Sequence, residues 1–179
     1  MRRAVSSALM SINGVIGNPH EWAGEYFDDA AAAAALEQLR RSHAMLMGRN
    51  TYEIFSRFWP GGTGDYSDAV NSIRKYVFSS TLPSADWTNS TIVREDVAAF
   101  VKQLKEAGDD DVVLYGHGPV GRTLLEHGLL DELTVAIHPR FVASGTLMFG
   151  GGEISRLDHV ATETRSTGVV VITYRPAKG

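Results

Sequence analysis

Short apolar runs alternate along this chain with longer stretches patterned for helices, and that alternation limits the folds open to it. Strand patterns cover residues 5–10, 44–47, 75–79, 90–93, 111–115 and 131–138. Between them lie helical patterns at 28–41, 49–55, 95–107 and 118–127, with a helical turn at 66–73. Strands separated in this way cannot pair through tight turns. They need crossovers, which make the sheet mainly parallel. The last two strand patterns, 159–164 and 169–175, differ. Thr167-Gly168 between them suits a hairpin turn, so they form an antiparallel edge. The expected fold is an α/β domain with a mostly parallel central sheet of about eight strands, flanking helices and an antiparallel C-terminal hairpin. No linker and no internal repeat divides residues 1–179, so they read as a single domain.

Composition removes several functions. There is no Cys, hence no thiolate nucleophile and no disulfide framework. Seventeen Lys and Arg against 21 Asp and Glu give a net charge of -4, with no basic stripe to grip a nucleic-acid backbone. The alanine run at residues 30–35 is far short of the roughly 20 residues needed to span a bilayer. The six His never fall at metal-ligand spacing, so no metal is expected. The expected setting is cytoplasmic, with a small-molecule substrate, no nucleic-acid partner and no membrane.

Three strand ends can hold an anion. Gly116-His117-Gly118-Pro119-Val120-Gly121 follows a strand and opens a helix, so its glycines let backbone amides approach a phosphate. Met47-Gly48-Arg49-Asn50-Thr51 repeats the arrangement and adds a guanidinium. Ser79-Ser80-Thr81 puts three hydroxyls at a third strand end. Each alone is equally a plain turn or cap. Together they lie on the carboxyl rim of parallel strands, where open α/β sheets bind ligands, and one extended dinucleotide could touch all three.

These blocks carry a family likeness, together with Ser11-Ile12-Asn13-Gly14-Val15-Ile16-Gly17, Lys75-Tyr76-Val77-Phe78 and Leu129-Leu130-Asp131-Glu132-Leu133. The chain resembles the dihydrofolate reductase superfamily over nearly its whole length. Within it, the chain is similar to the C-terminal reductase domain of the bifunctional riboflavin-biosynthesis deaminase-reductase. The resemblance implies a dihydrofolate reductase-like fold, NADPH as cofactor and hydride transfer to a small heterocycle or sugar-amine. It implies that Arg49, Ser79 and Ser80 hold the 2′-phosphate and adenosine side, with Gly48, Asn50 and Thr81 beside them. Thr51 and the turn Gly116, His117, Gly118, Pro119, Val120 would hold the pyrophosphate, and Ala8 and Ile16 would line the nicotinamide. A homodimer through the sheet and the C-terminal strands is also implied.

The substrate side is thinner in the sequence. Asp28, at the start of the first helix, is the candidate for proton handling, and equally a helix cap. Asn13 stands where relatives carry Asp and is the second catalytic candidate. Trp22 and Phe55 are chosen from the aromatic residues Trp22, Tyr26, Phe55, Phe58 and Trp59 as the substrate-binding pair. His117 interrupts the glycines of its turn; its side chain either adds a donor to the phosphate or is an exposed turn residue, the second being the preferred reading. The alternative function is a pterin-, flavin- or nucleotide-binding module of the same fold without turnover.

Overall fold

A computed structural model describes residues 1–149 and 156–177. The Gly150-Gly151-Gly152 part of the glycine-rich loop noted in the sequence lies outside them. The elements run in the order β1 (Ala4–Ser11), α1 (Asp29–Arg40), β2 (Ser42–Gly48), α2 (Arg49–Phe58), α3 (Asp65–Ser72), β3 (Arg74–Phe78), β4 (Ser90–Val93), α4 (Val97–Glu106), β5 (Asp111–Tyr115), α5 (Gly118–Glu126), β6 (Glu132–His138), β7 (Leu157–Thr164) and β8 (Val170–Pro176). Two 3-10 turns, Pro19–Glu21 and Gly24–Tyr26, bridge β1 and α1.

All eight strands form one sheet in the order β4-β3-β2-β5-β1-β6-β8-β7. The first six in this order pair in parallel, and β8 pairs antiparallel with both β6 and β7. The hairpin follows the sequence reading. Gly168 takes φ +84, which its missing Cβ permits, and Arg165 and Val169 close the turn. The helical turn expected at 66–73 is a full helix, α3.

Strand periodicity sorts the core into two layers. Ala44 and Leu46 of β2, with Val112 and Leu114 of β5, face Val101 of α4 and Val120 and Leu124 of α5. Their neighbours Met45, Met47, Val113 and Tyr115 face Leu39 of α1, Tyr52 of α2 and Val70 of α3. The helices therefore cover both faces of β2, β3 and β5, as a mainly parallel sheet requires. Asp28 and Asp96 cap α1 and α4 by accepting the amides of Ala31 and Ala99, each at 2.8 Å. Each cap contributes about 1 kcal/mol. Fully buried Lys75 lies over the Trp87 ring and donates to the carbonyls of Asn71, Ile73 and Thr88. It ties the end of α3 to the segment before β4.

Candidate active site

The three anion-friendly strand ends terminate β3, β2 and β5, which are consecutive neighbours in the sheet. Their helices start at once. Arg49 opens α2 directly after Gly48, and Gly118 opens α5 with Pro119 in its first turn. The two helix starts touch. A Cβ on Gly48 would meet Val120 at 3.8 Å, and one on Gly116 would fall 2.3 Å from Thr51 Oγ1. Gly116 also holds φ +86, so both space and backbone demand glycine there. Gly118 holds φ +52 but has open space where its Cβ would be. First-turn amides lack partners within their own helix. Two such sets, from α2 and α5, therefore converge on one patch of positive dipole.

The hydroxyl loop is already organised. Ser79 Oγ accepts the amides of Thr81 at 3.3 Å and Leu82 at 3.0 Å. Arg94 donates to the carbonyls of Ser79, Ser80 and Leu82 from the far side. Arg49 bridges the loop to α2: Nη1 donates to Thr81 Oγ1 at 2.8 Å and Nε to Glu53 at 2.7 Å. Ser80 is exposed. Guanidinium, hydroxyls and helix amides thus form one donor-rich strip, with the Glu53 carboxylate paired to Arg49.

His117 departs from its reading as an exposed residue. Its ring is 4% exposed and turned inward, sharing a 2.9 Å hydrogen bond with Ser6 Oγ. A Cβ on Gly121 would strike the ring at 2.3 Å, so α5 passes closely over it. Burial first, and then the charge of Arg122, lower its pKa to about 4. The imidazole is neutral and structural, and only the backbone of His117 belongs to the anion patch. Its φ of +37, between Gly116 and Gly118, is the strain that turning the ring inward requires.

Ala8 is also placed differently. It is buried in the layer beneath α4 and α5, and half-buried Ile16 packs on that same layer. The neighbouring Leu9 faces the opposite side. It is 39% exposed although β1 is a central strand.

Both acid-base candidates have structural duties. Asp28 Oδ1 caps α1. Asn13 Oδ1 accepts from Ser11 Oγ and the Val142 amide, and its Nδ2 donates to the Val142 carbonyl at 2.8 Å. Asn13 therefore pins the loop after β1 to the segment after β6.

Trp22 and Phe55 are not together. Trp22 is buried, donates to the Gly17 carbonyl at 2.9 Å and meets His138 edge-on. Phe55 belongs to a chain of ring contacts linking Tyr115, Phe55, Trp59, Tyr66 and Phe27. Across the opening, His20 lies 5.6 Å from Phe58. Phe27 and Phe58 are 45% and 58% exposed. The Tyr115 hydroxyl donates to Gln38 Oε1 at 3.3 Å and lies near the Tyr66 phenol. Burial pushes Tyr66 up to about 12, and burial with the Tyr66 contact raises Tyr115 well above the usual phenol range. Both phenols are neutral. Sequence reasoning passed over Phe27, Tyr66 and Tyr115, although Tyr115 directly precedes Gly116.

A cavity of about 750 Å³ opens at the opposite rim, lined by Arg40, His43, Arg74 and Ser90 among others. The carboxyl ends of α1 and α3 point into it, and the arginines there complement those negative dipoles. Anion chemistry belongs at the other rim. Among the described residues no helix is long and apolar enough to cross a membrane.

Comparison with known proteins bears on the fold and the family. An uncharacterized protein of Bacillus subtilis, YyaP, is 29% identical over 142 residues, covering 76% of this chain and 75% of YyaP. A diaminohydroxyphosphoribosylaminopyrimidine deaminase/5-amino-6-(5-phosphoribosylamino)uracil reductase from Thermotoga maritima superposes with a TM-score of 0.68 at 16% identity. That match covers 98% of this chain and 57% of the larger protein. Dihydrofolate reductase from Enterococcus faecalis, complexed with NADP(H), superposes with a TM-score of 0.63 at 14% identity, covering 98% of this chain and 97% of the reductase. These likenesses establish a dihydrofolate reductase-like fold. The model of the RibD C-terminal domain matches residues 4–171, and the chain belongs to that family.

Proposed function

We propose that this protein is an NADPH-dependent reductase acting on a small planar heterocycle or a sugar-amine. Family and fold support a reductase-type function in general. The observation that carries the finer reading is the contiguity of the β3, β2 and β5 ends, with two helix starts pressed together and open space at Gly118. In this reading Arg49, Ser80 and Thr81 grip the 2′-phosphate. Ser79 shapes their loop. The amides of Asn50, Thr51, Gly118 and Val120 hold the pyrophosphate beside Gly48 and Gly116. Ile16 lines the nicotinamide, with Ala8 as backing.

When bound, NADPH would supply the hydride of the reduction, and the accompanying proton would come from water reaching the substrate. The chain orients the two rings and excludes bulk water. The aromatic wall Phe27, Phe55, Trp59 and Tyr66 stacks the substrate, and the neutral phenols offer hydrogen bonds without a charge to desolvate. The fully or largely exposed surface of β7, beside half-exposed β8, supports a homodimer formed at this hairpin. A cytoplasmic location fits an NADPH-dependent enzyme. The test is NADPH oxidation on addition of dihydropterins, flavins and aminopyrimidines, followed by absorbance. Turnover with any of them supports the reading. Tight NADPH binding without turnover would favour a non-catalytic binding module.

A further inference from the structure

The hydroxyl loop after β3 is held by a side chain that belongs to none of the anion-binding motifs. β4 pairs with β3 in register, Phe78 beside Val93, and the Ser79 amide extends that ladder to the Val93 carbonyl at 3.2 Å. Arg94, the next residue, therefore leaves the sheet beside the loop. Its Nη1 donates to the Ser80 carbonyl at 2.8 Å and to the Ser79 carbonyl at 3.3 Å, and its Nη2 donates to the Leu82 carbonyl at 2.8 Å. In a trans peptide the carbonyl and the following N–H point opposite ways. The Ser79 and Ser80 carbonyls, drawn toward Arg94, thus turn the N–H groups of Ser80 and Thr81 away from it; Pro83, after Leu82, has no N–H. The Thr81 amide meets Ser79 Oγ at 3.3 Å, whereas the Ser80 amide has no partner among the described residues. Ser80 and Thr81 are both exposed.

Charge singles out the same residue. Arg49 reaches Thr81 from α2, but its Nε is bound to Glu53, so that pair adds no net charge to the strip. Arg94 spends its donors on carbonyls, and among the described residues no carboxylate pairs with it. A guanidinium held by neutral acceptors keeps its full charge. We propose that Arg94 is the positioning residue that makes this loop prefer a phosphorylated ribose: it turns the Ser80 amide outward as a donor and supplies the positive field behind it. The proposal rests on the reading of this strip as the adenosine end of a dinucleotide site. Arg49 remains the direct ligand, and Arg94 acts through the loop. A ribose hydroxyl gains little from that field, whereas a phosphate gains hydrogen bonds and charge attraction together.

The test titrates two matched pairs by calorimetry, NADPH against NADH and 2′,5′-ADP against 5′-ADP, with the wild type, Arg94→Gln and Arg94→Lys. Within each pair the two ligands differ by the 2′-phosphate, so the ratio of affinities reads this loop and cancels any general loss of fold. The wild type should prefer the 2′-phosphorylated member of each pair. Arg94→Gln should cut that preference about tenfold, with NADH and 5′-ADP held within about twofold. Arg94→Lys keeps the charge without the planar fork and should restore the preference to within about threefold of the wild type. A wild-type ratio in Arg94→Gln overturns the proposal, as do equal losses for all four ligands, which would make Arg94 a staple of the fold alone. A Lys variant no better than the Gln variant overturns it too. Absence of NADPH binding by the wild type removes the cofactor reading and the proposal together, whereas a preference that survives Arg94→Gln removes the proposal alone.

Discussion

The two halves of the cleft are built by different means. The proposed cofactor half consists of strand ends, two of which run straight into helices at Gly48 and Gly116, with the hydroxyl loop at Ser79 beside them. Its donors are backbone amides and short local side chains, and each sits within a few residues of the glycine that exposes it. The proposed substrate half is assembled by packing: Tyr115, Phe55, Trp59, Tyr66 and Phe27 form one chain of ring contacts drawn from β5, α2, α3 and the segment before α1. A local site is written in a contiguous motif. An assembled site is written in how helices pack over the sheet.

The largest expected effect breaks the cofactor half alone. Gly118→Val places bulk in open space at φ +52 and should abolish NADPH binding, a loss of at least about a hundredfold. The backbone strain costs only about 1–2 kcal/mol, so the variant stays folded. Gly116→Ala should instead destabilise the fold, because its Cβ would meet Thr51 at 2.3 Å. Denaturant melts and calorimetry on both variants check this, and normal NADPH binding by Gly118→Val would refute the pyrophosphate turn.

The next effect is acid lability. His117 is about 4 when folded and ordinary, 6.5, when unfolded. Between these values the unfolded chain binds a proton that the folded chain refuses. Stability is therefore full above pH 6.5 and falls as pH drops toward 4, by at most about 3 kcal/mol. Urea melts of the wild type and of His117→Gln across this range measure it, and parallel curves for the two proteins would contradict it.

Arg49→Ala should weaken NADPH about tenfold or more and NADH much less, because only NADPH presents the extra phosphate. Equal losses would remove the 2′-phosphate role. Asp28→Asn is the smallest change. Asn caps a helix as well as Asp, so stability should hold within a few tenths of a kcal/mol, and turnover within about twofold. A tenfold fall in turnover would place the polar centre of the substrate half at the start of α1.

Much of the fold was legible. Apolar runs and helix caps located every strand and helix, with α3 underestimated as a turn. The β3-β2-β5 adjacency was not readable directly, yet the three anion-friendly ends anticipated it. The inward His117 escaped because a glycine-rich turn suggests solvent, whereas the ring is drawn beneath α5 by the gap that Gly121 leaves. Strand parity turns Ala8 and Leu9 opposite ways, and which of them faces a ligand is set by the layer that α4 and α5 cover. Trp22 and Phe55 stand beside the motifs in sequence, but their ring contacts depend on how the helices and the segment before α1 pack.

The central claim is the nicotinamide site at the β3-β2-β5 rim. Titration calorimetry of the purified protein with NADPH and, separately, with NADH tests it most directly. The account predicts micromolar NADPH binding with a clear preference over NADH. Absence of binding to either would contradict it.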